Sequence, residues 1–152
     1  MINGVTDKLL EKNISIAFAE SCTGGALSSA LTKIPGVSKI FKGSFVTYSD
    51  LYKHKYLKVK KKTIKDYGVV SKEVAQEMVQ GLFKKTKADI SVSVTGNAGP
   101  TKGDLNEPIG RIYVGLLLKG DEDIFELNLS GEREKIINDI VEFVFSKINE
   151  LI

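Results

Sequence analysis

The stretch ESCTGG at residues 20–25 follows directly on the apolar run ISIAFA and places a carboxylate, three small nucleophile-capable side chains and two glycines in six positions. A strand-to-helix connection needs one capping residue, so the surplus suits chemistry. Ser21 is the candidate nucleophile, and its hydroxyl needs a neighbouring base to take its proton. His54 is the only histidine; it sits in a lysine-rich run and reads as a solvated side chain, so no Ser-His-Asp arrangement is easy to build. A lysine can replace histidine if burial lowers its pKa towards neutrality. The stretch GSFVTYSDLYKHK at 43–55 supplies Lys53, with Tyr48 five positions earlier to shuttle a proton or orient the pair. Ser21, Tyr48 and Lys53 would together make a serine–lysine hydrolytic site. Cys22 is a rival nucleophile, because a thiolate at a helix N-terminus is activated. Adjacent side chains in a strand-like entry point apart, so Cys22 is read as a small buried residue instead.

Positioning these groups requires strands that end at the site. Ile14, Ile16 and Phe18 alternate with small residues, as a covered strand would. Ala26, Leu27, Ala30, Leu31 and Ile34 then fall at helical spacing up to Pro35-Gly36. Phe45-Val46-Thr47-Tyr48 is short and β-rich. Ser71 is placed as an N-cap before the stripe Val74, Met78, Val79, Leu82 and Phe83. ISVSV at 90–94, RIYVGLLL at 111–118 and the run around Phe125, Leu127 and Leu129 read as strands, the last two joined by a turn at 120–123. A long helix after Gly131 is expected to put Ile136, Ile137, Ile140, Val144, Ile148 and Leu151 on its buried face. Early βα alternation followed by a late hairpin predicts a single α/β domain over 1–152, a three-layer α/β/α sandwich with a mixed sheet.

In this architecture both polar loops, ESCTGG and TGNAGP, lie outside strand carboxyl ends, where open α/β sheets bind ligands. A helix starting near Thr23 or Gly24 would aim backbone N–H groups at a phosphate or an oxyanion, and Gly24 and Gly25 would allow close approach. The alternative is that Ser21 or Thr23 only caps the helix and the glycines only permit the turn.

Composition narrows the class. The chain has 152 residues, 22 basic and 19 acidic, and a net charge of +3, too balanced to demand an acidic partner. A lone cysteine excludes an internal disulfide and fits a reducing compartment. No apolar run approaches the ~18 residues that span a bilayer, and the polar, amphipathic N-terminus lacks a signal-peptide core. A cytoplasmic location, without membrane contact, is the expectation. No His/Cys/Asp cluster has metal-ligand spacing, so neither metal nor cofactor is expected.

Four stretches, AESCTGG (19–25), FKGSFVTYSDLYK (41–53), YGVVSKEVAQEM (67–78) and VTGNAGPTKGDLNEPIG (94–110), together resemble the C-terminal domain of the competence-damage protein CinA and its stand-alone relatives, over nearly the whole chain. That family includes nicotinamide-nucleotide amidases, also called NMN deamidases. The resemblance implies hydrolysis of the carboxamide of nicotinamide mononucleotide to nicotinate mononucleotide and ammonia. It implies Ser21 as nucleophile, activated by Tyr48 and Lys53. Thr23, Gly24 and Gly25 would form an oxyanion or phosphate nest. Thr95, Gly96, Asn97, Ala98 and Gly99 would line the opposite wall, and Arg133, matching a family arginine, would meet phosphate or else pair with Glu132 or Glu134. The resemblance also implies a homo-oligomer, with a dimer favoured. Glu107 and Arg111 depart from the family pattern, where a lysine and a small residue are common.

Two other classes stand beside the enzyme. The run KHKYLKVKKKTIK at 53–65 interleaves lysines with tyrosines, as a nucleic-acid contact would. It reads instead as a solvated loop, and a nucleic-acid partner is not expected. The second is a non-catalytic nucleotide-binding or competence-related interaction module.

Overall fold

A computed structural model of the chain describes residues 1–103 and 105–152; Asp104, inside the fourth family-like stretch, lies outside them. The order is α1 (Ile2–Glu11), β1 (Ile16–Glu20), α2 (Ala26–Thr32), a 3-10 turn (Val37–Lys39), β2 (Phe41–Val46), α3 (Asp50–Leu57), α4 (Lys61–Tyr67), α5 (Lys72–Thr86), β3 (Ile90–Gly96), β4 (Arg111–Leu118), β5 (Asp121–Asn128) and α6 (Arg133–Leu151). The five strands form one sheet ordered β2-β1-β3-β4-β5. β1 runs parallel to β2 and β3, and β4 and β5 are added antiparallel. This is the mixed-sheet α/β/α sandwich that the alternation predicts.

Every residue of β1 is buried because helices cover both faces of the sheet. Ile16 and Phe18 face the core shared with Leu27 and Leu31 of α2 and Ile140, Val144 and Phe145 of α6. Ala17 and Ala19 face Val74, Met78 and Leu82 of α5 and Leu57 of α3. Small side chains on that side let α5 lie close. α3 in turn lies close on α5: a Cβ added at Gly81 would stand 1.9 Å from the Leu57 carbonyl oxygen.

Two expectations are corrected. The segment read as a solvated loop, 53–65, falls in helices α3 and α4. Ser49 caps α3 by accepting from the Tyr52 N–H at 3.1 Å, and Asp50 sits in its first turn. Lysines spread around both helices hide the apolar stripe that would announce them. The short strand placed at 45–48 runs instead from Phe41 to Val46, leaving Thr47 and Tyr48 beyond its end.

The β1–β2 pairing steps by one residue. Ile16 lies opposite Phe41 but Ala17 opposite Gly43, so Lys42 is the extra residue of a bulge, and Gly43 adopts φ +140° there. Beyond the bulge Glu20 pairs with Val46, and the Thr47 N–H donates to the Glu20 carbonyl at 2.9 Å.

Candidate active site

Ser21 is the first residue past β1, held there by its N–H donating to the Val94 carbonyl of β3 at 3.1 Å. Lys53 comes from the first half of α3, whose cap aims the side chain back under the end of β2. It is only 1% exposed, and its Nζ lies 2.8 Å from Ser21 Oγ. The same Nζ donates to the Thr47 carbonyl at 2.8 Å and the Tyr48 carbonyl at 3.4 Å. Among the described residues no carboxylate bridges to it. A neutral amine has two N–H donors and one lone pair, which match two carbonyls and one hydroxyl. Burial pulls the Lys53 pKa down from 10.5 to about 8, against the opposing pull of Asp50 and Cys22.

Glu20, to which the sequence assigned no definite role, organises the nucleophile loop. Its carboxylate is fully buried. It accepts from the Thr23 hydroxyl at 2.8 Å, from the N–H groups of Gly25, Leu27 and Ser28 at 3.2, 2.9 and 3.1 Å, and from the hydroxyls of Ser28 and Ser44 at 2.6 and 3.3 Å. It thus caps α2 from five residues ahead of the N-cap glycine. Of the residues expected to form a nest for a ligand, Gly25 donates its N–H to the Glu20 carboxylate and Gly24 to the Ser21 carbonyl at 3.0 Å, and Thr23, Gly24 and Gly25 do not line the cleft. Among the described residues, the N–H groups of Cys22 and Thr23 donate to no backbone carbonyl. These two donors follow Ser21 directly in the chain.

The cleft encloses about 170 Å³ and is lined by Ser21, Cys22, Tyr48, Asp50, Lys53, Val69, Thr95, Gly96, Asn97, Ala98 and Arg133. Cys22 therefore shares the cleft with Ser21, against the expectation that neighbouring side chains would point apart; the chain has already left the strand at this point. Burial pushes the thiol up to about 12, which removes the thiolate at neutral pH. Thr95 lies on the wall with its hydroxyl donating to the Val69 carbonyl at 2.8 Å. Asn97 shapes the next turn, with Oδ1 accepting from the Gly99 N–H at 3.0 Å and Nδ2 donating to the Thr101 carbonyl at 2.9 Å.

Tyr48 enters differently from Lys53. Its carbonyl touches the lysine, but its ring is 59% exposed and its phenol oxygen accepts from Arg133 Nη2 at 2.8 Å. Arg133 Nη1 donates to the Gly99 carbonyl at 2.6 Å. The arginine therefore joins the start of α6, the TGNAGP loop and Tyr48, and Glu132 and Glu134 are not its partners. Beyond it lies a second depression of about 440 Å³, lined by Ala98, Pro100, Ile109, Gly131, Glu132 and Arg133. Among groups the sequence reading missed, Thr47 acts through its carbonyl and Val69 through position. Asp50 had a signal, the Ser-Asp pair that opens a helix.

Fold and site define an α/β protein with a buried serine–lysine pair at the carboxyl end of parallel strands. The CinA C-terminal domain family matches residues 1–152, and the chain belongs to that family. It is 47% identical over 132 residues to a CinA-like protein of Dictyoglomus turgidum, covering 87% of this chain and 32% of the relative. A CinA-like protein of Petrotoga mobilis is 45% identical over 148 residues, covering 96% and 36%. The chain thus spans about a third of the length of these curated relatives. A crystal structure of a competence-damaged protein (CinA) superfamily protein from Escherichia coli superposes with a TM-score of 0.94 at 31% identity, covering all of this chain and 91% of that one. The competence/damage inducible protein CihA from Agrobacterium tumefaciens gives 0.91 at 29% identity, covering 99% and 94%. No described helix is long and apolar enough to cross a membrane.

Proposed function

We propose that the chain is an amidohydrolase that converts nicotinamide mononucleotide to nicotinate mononucleotide and ammonia through a serine nucleophile. The observation that carries this reading is the buried, unbridged Lys53 amine 2.8 Å from Ser21 Oγ. A lysine without a carboxylate partner, tied only to carbonyls and a hydroxyl, is poised to take a proton rather than to hold an ion pair. Ser21 Oγ attacks the amide carbon as its proton passes to Lys53. The oxyanion is met by the N–H of Cys22, which lines the cleft beside Ser21, and collapse expels ammonia with the proton that Lys53 returns. Water, deprotonated in the same way, releases the acyl group as a carboxylate.

The two-chambered site supports the substrate class. The small cleft suits a planar ring carrying a carboxamide, and the larger depression past Arg133 suits the ribose phosphate, with the guanidinium turned to the phosphate. Family membership supports the same substrate through the resemblance of ESCTGG and TYSDLYK. Tyr48 orients Arg133 and lends Lys53 its carbonyl. A homo-oligomer, with a dimer favoured, is part of this reading, as is function inside the cell without metal or cofactor.

The test is ammonia release from nicotinamide mononucleotide, with chelator present, by wild type and by Ser21→Ala, Lys53→Ala and Cys22→Ala. Activity in wild type and Cys22→Ala, lost in the other two, is expected. A folded wild type that releases no ammonia would sink the amidase and leave a non-catalytic nucleotide-binding module.

A further inference from the structure

The basic run that amide hydrolysis leaves unused forms a continuous face. Ten of the 22 basic residues and only three of the 19 acidic ones lie between positions 55 and 87, so this segment carries +7 and the rest of the chain −4. Folding gathers two separated runs. Lys55 on α3 and Lys61, Lys62 and Lys65 on α4 lie in the layer packed outside α5, and all are exposed. Lys84 and Lys85 follow Gly81, the residue of α5 that seats the end of α3, by three and four positions, which places them on the same helix face.

These charges sit where helix stability opposes them. Lys61 and Lys62 occupy the first turn of α4, which has no acidic residue, although a helix N-terminus disfavours cations. Lys61 and Lys65 are like charges at a spacing of four, which also costs stability. The one ion pair here among the described residues is Lys62 with Asp66. Glu77 is committed to the Lys60 N–H and the Thr63 hydroxyl at 2.8 and 2.6 Å.

Between α3 and α4 runs a shallow groove of about 260 Å³, lined by Asp50, Leu51, His54, Lys61 and Ile64. Beside Leu51 stands Tyr52, 47% exposed, its ring packed edge-on to Tyr56 with centroids 5.0 Å apart. A partly apolar groove, an exposed aromatic ring and unpaired lysines fit a polyanion that carries flat apolar groups at intervals. That description is a single-stranded nucleic acid: phosphates for the lysines, bases for the groove and the ring.

We propose that the outer face of α3, α4 and the C-terminal turn of α5 docks single-stranded nucleic acid, with backbone phosphates on Lys55, Lys61, Lys65, Lys84 and Lys85 and a base stacked on Tyr52. The groove shares Asp50 with the cleft, but Tyr52 and the five lysines do not line the cleft, and the inference stands independently of the amidase reading.

The test is fluorescence anisotropy of a labelled oligothymidylate of about 20 nucleotides, longer than a typical single-domain site, titrated with the protein over a salt series. Binding should fall linearly in log–log form. The triple variant Lys55→Gln/Lys61→Gln/Lys65→Gln should lower the slope by about 2 and weaken low-salt binding at least about tenfold, since each phosphate contact on a single strand contributes about 0.7. Tyr52→Ala should weaken binding at least about fivefold with the slope unchanged. Circular dichroism checks that both variants fold. Absence of binding by wild type at low salt overturns the proposal, as does binding that the triple variant leaves intact. Tighter binding to phosphatidylserine vesicles than to the oligonucleotide, lost in the same triple variant, would overturn it in favour of a membrane surface.

Discussion

Arg133 and Tyr48, far apart in sequence, are joined across the mouth of the cleft by a 2.8 Å hydrogen bond from Nη2 to the phenol oxygen. The bond crosses the boundary between the small chamber that holds Ser21 and the larger depression beyond Ala98. A substrate with its reacting amide in one chamber and an anion in the other must pass this arginine. Removing it should act on binding: Arg133→Ala is expected to raise KM for nicotinamide mononucleotide about 10- to 100-fold, the worth of a charge-assisted bond. KM for the dephosphorylated nucleoside should move little. Steady-state kinetics on the pair decides it, and equal losses on both would show that Arg133 shapes the cleft rather than reading phosphate.

The reaction should follow the state of Lys53. Its pKa near 8 leaves the lysine mostly protonated at neutral pH and half neutral near pH 8. With the neutral amine proposed as the base, kcat/KM should climb through this range and level off above it. Lys53→Arg, which cannot lose its proton, should be inactive across the range. A flat profile between about pH 6.5 and 9.5 in wild type would rule out this lysine as the base.

The same shift has a consequence for stability. In the folded protein Lys53 titrates near 8 and in the unfolded chain near 10.5. Between these values the unfolded state binds more protons, so stability rises with pH across that window. The depressed pKa corresponds to a cost of about 3 kcal/mol for burying the charged amine, borne in full below the window and absent above it. Urea unfolding of wild type and Lys53→Met at both ends of the window should show their stability difference changing by roughly that amount in favour of wild type at high pH. A difference independent of pH would mean that Lys53 titrates normally.

Glu20 should prove structural before it proves catalytic. Glu20→Ala strands the N–H groups of Gly25, Leu27 and Ser28 at the start of α2, and a loss of at least about 3 kcal/mol is expected from buried donors left unpaired. Removing the carboxylate also reopens the helix N-terminus to anions. Inorganic phosphate should therefore raise the melting temperature of Glu20→Ala more than that of wild type. Thermal unfolding with and without phosphate measures both effects; equal phosphate shifts would show that Glu20 does not fill the anion position.

The sequence carries the architecture in its periodicities, because β1, β3 and β4 alternate or run apolar and α5 and α6 have clear stripes. Ser21 and Lys53 are legible as a possible pair from residue type alone, and resemblance to the family sharpens them into roles. What lies between them is not legible. Thr47 contributes a backbone carbonyl, for which no side chain is diagnostic. Tyr48 is near in sequence to Lys53, yet its ring turns to Arg133, because the strand ends at Val46 and the chain swings outward. Glu20 looks like one more polar residue of a glycine-rich loop, since a carboxylate that caps a helix from outside the usual position leaves no spacing signature. α3 and α4 stay hidden for the converse reason: their lysines serve no apolar stripe.

The extra residue at Lys42 sets more than the shape of an edge strand. Glu20 and Thr47 are aligned only because β2 advances one position relative to β1 at that point. Without the advance, Val46 would stand where Thr47 stands, the carbonyls that steady the amine would slide by about 3.3 Å, and Ser21 would face the wrong phase of the pleat. The spacing of Ser21 and Lys53 is thus written as an offset between two rulers, remote from either residue. Pairing Lys42 regularly opposite Ala17 would keep both side chains and still draw Ser21 and Lys53 apart.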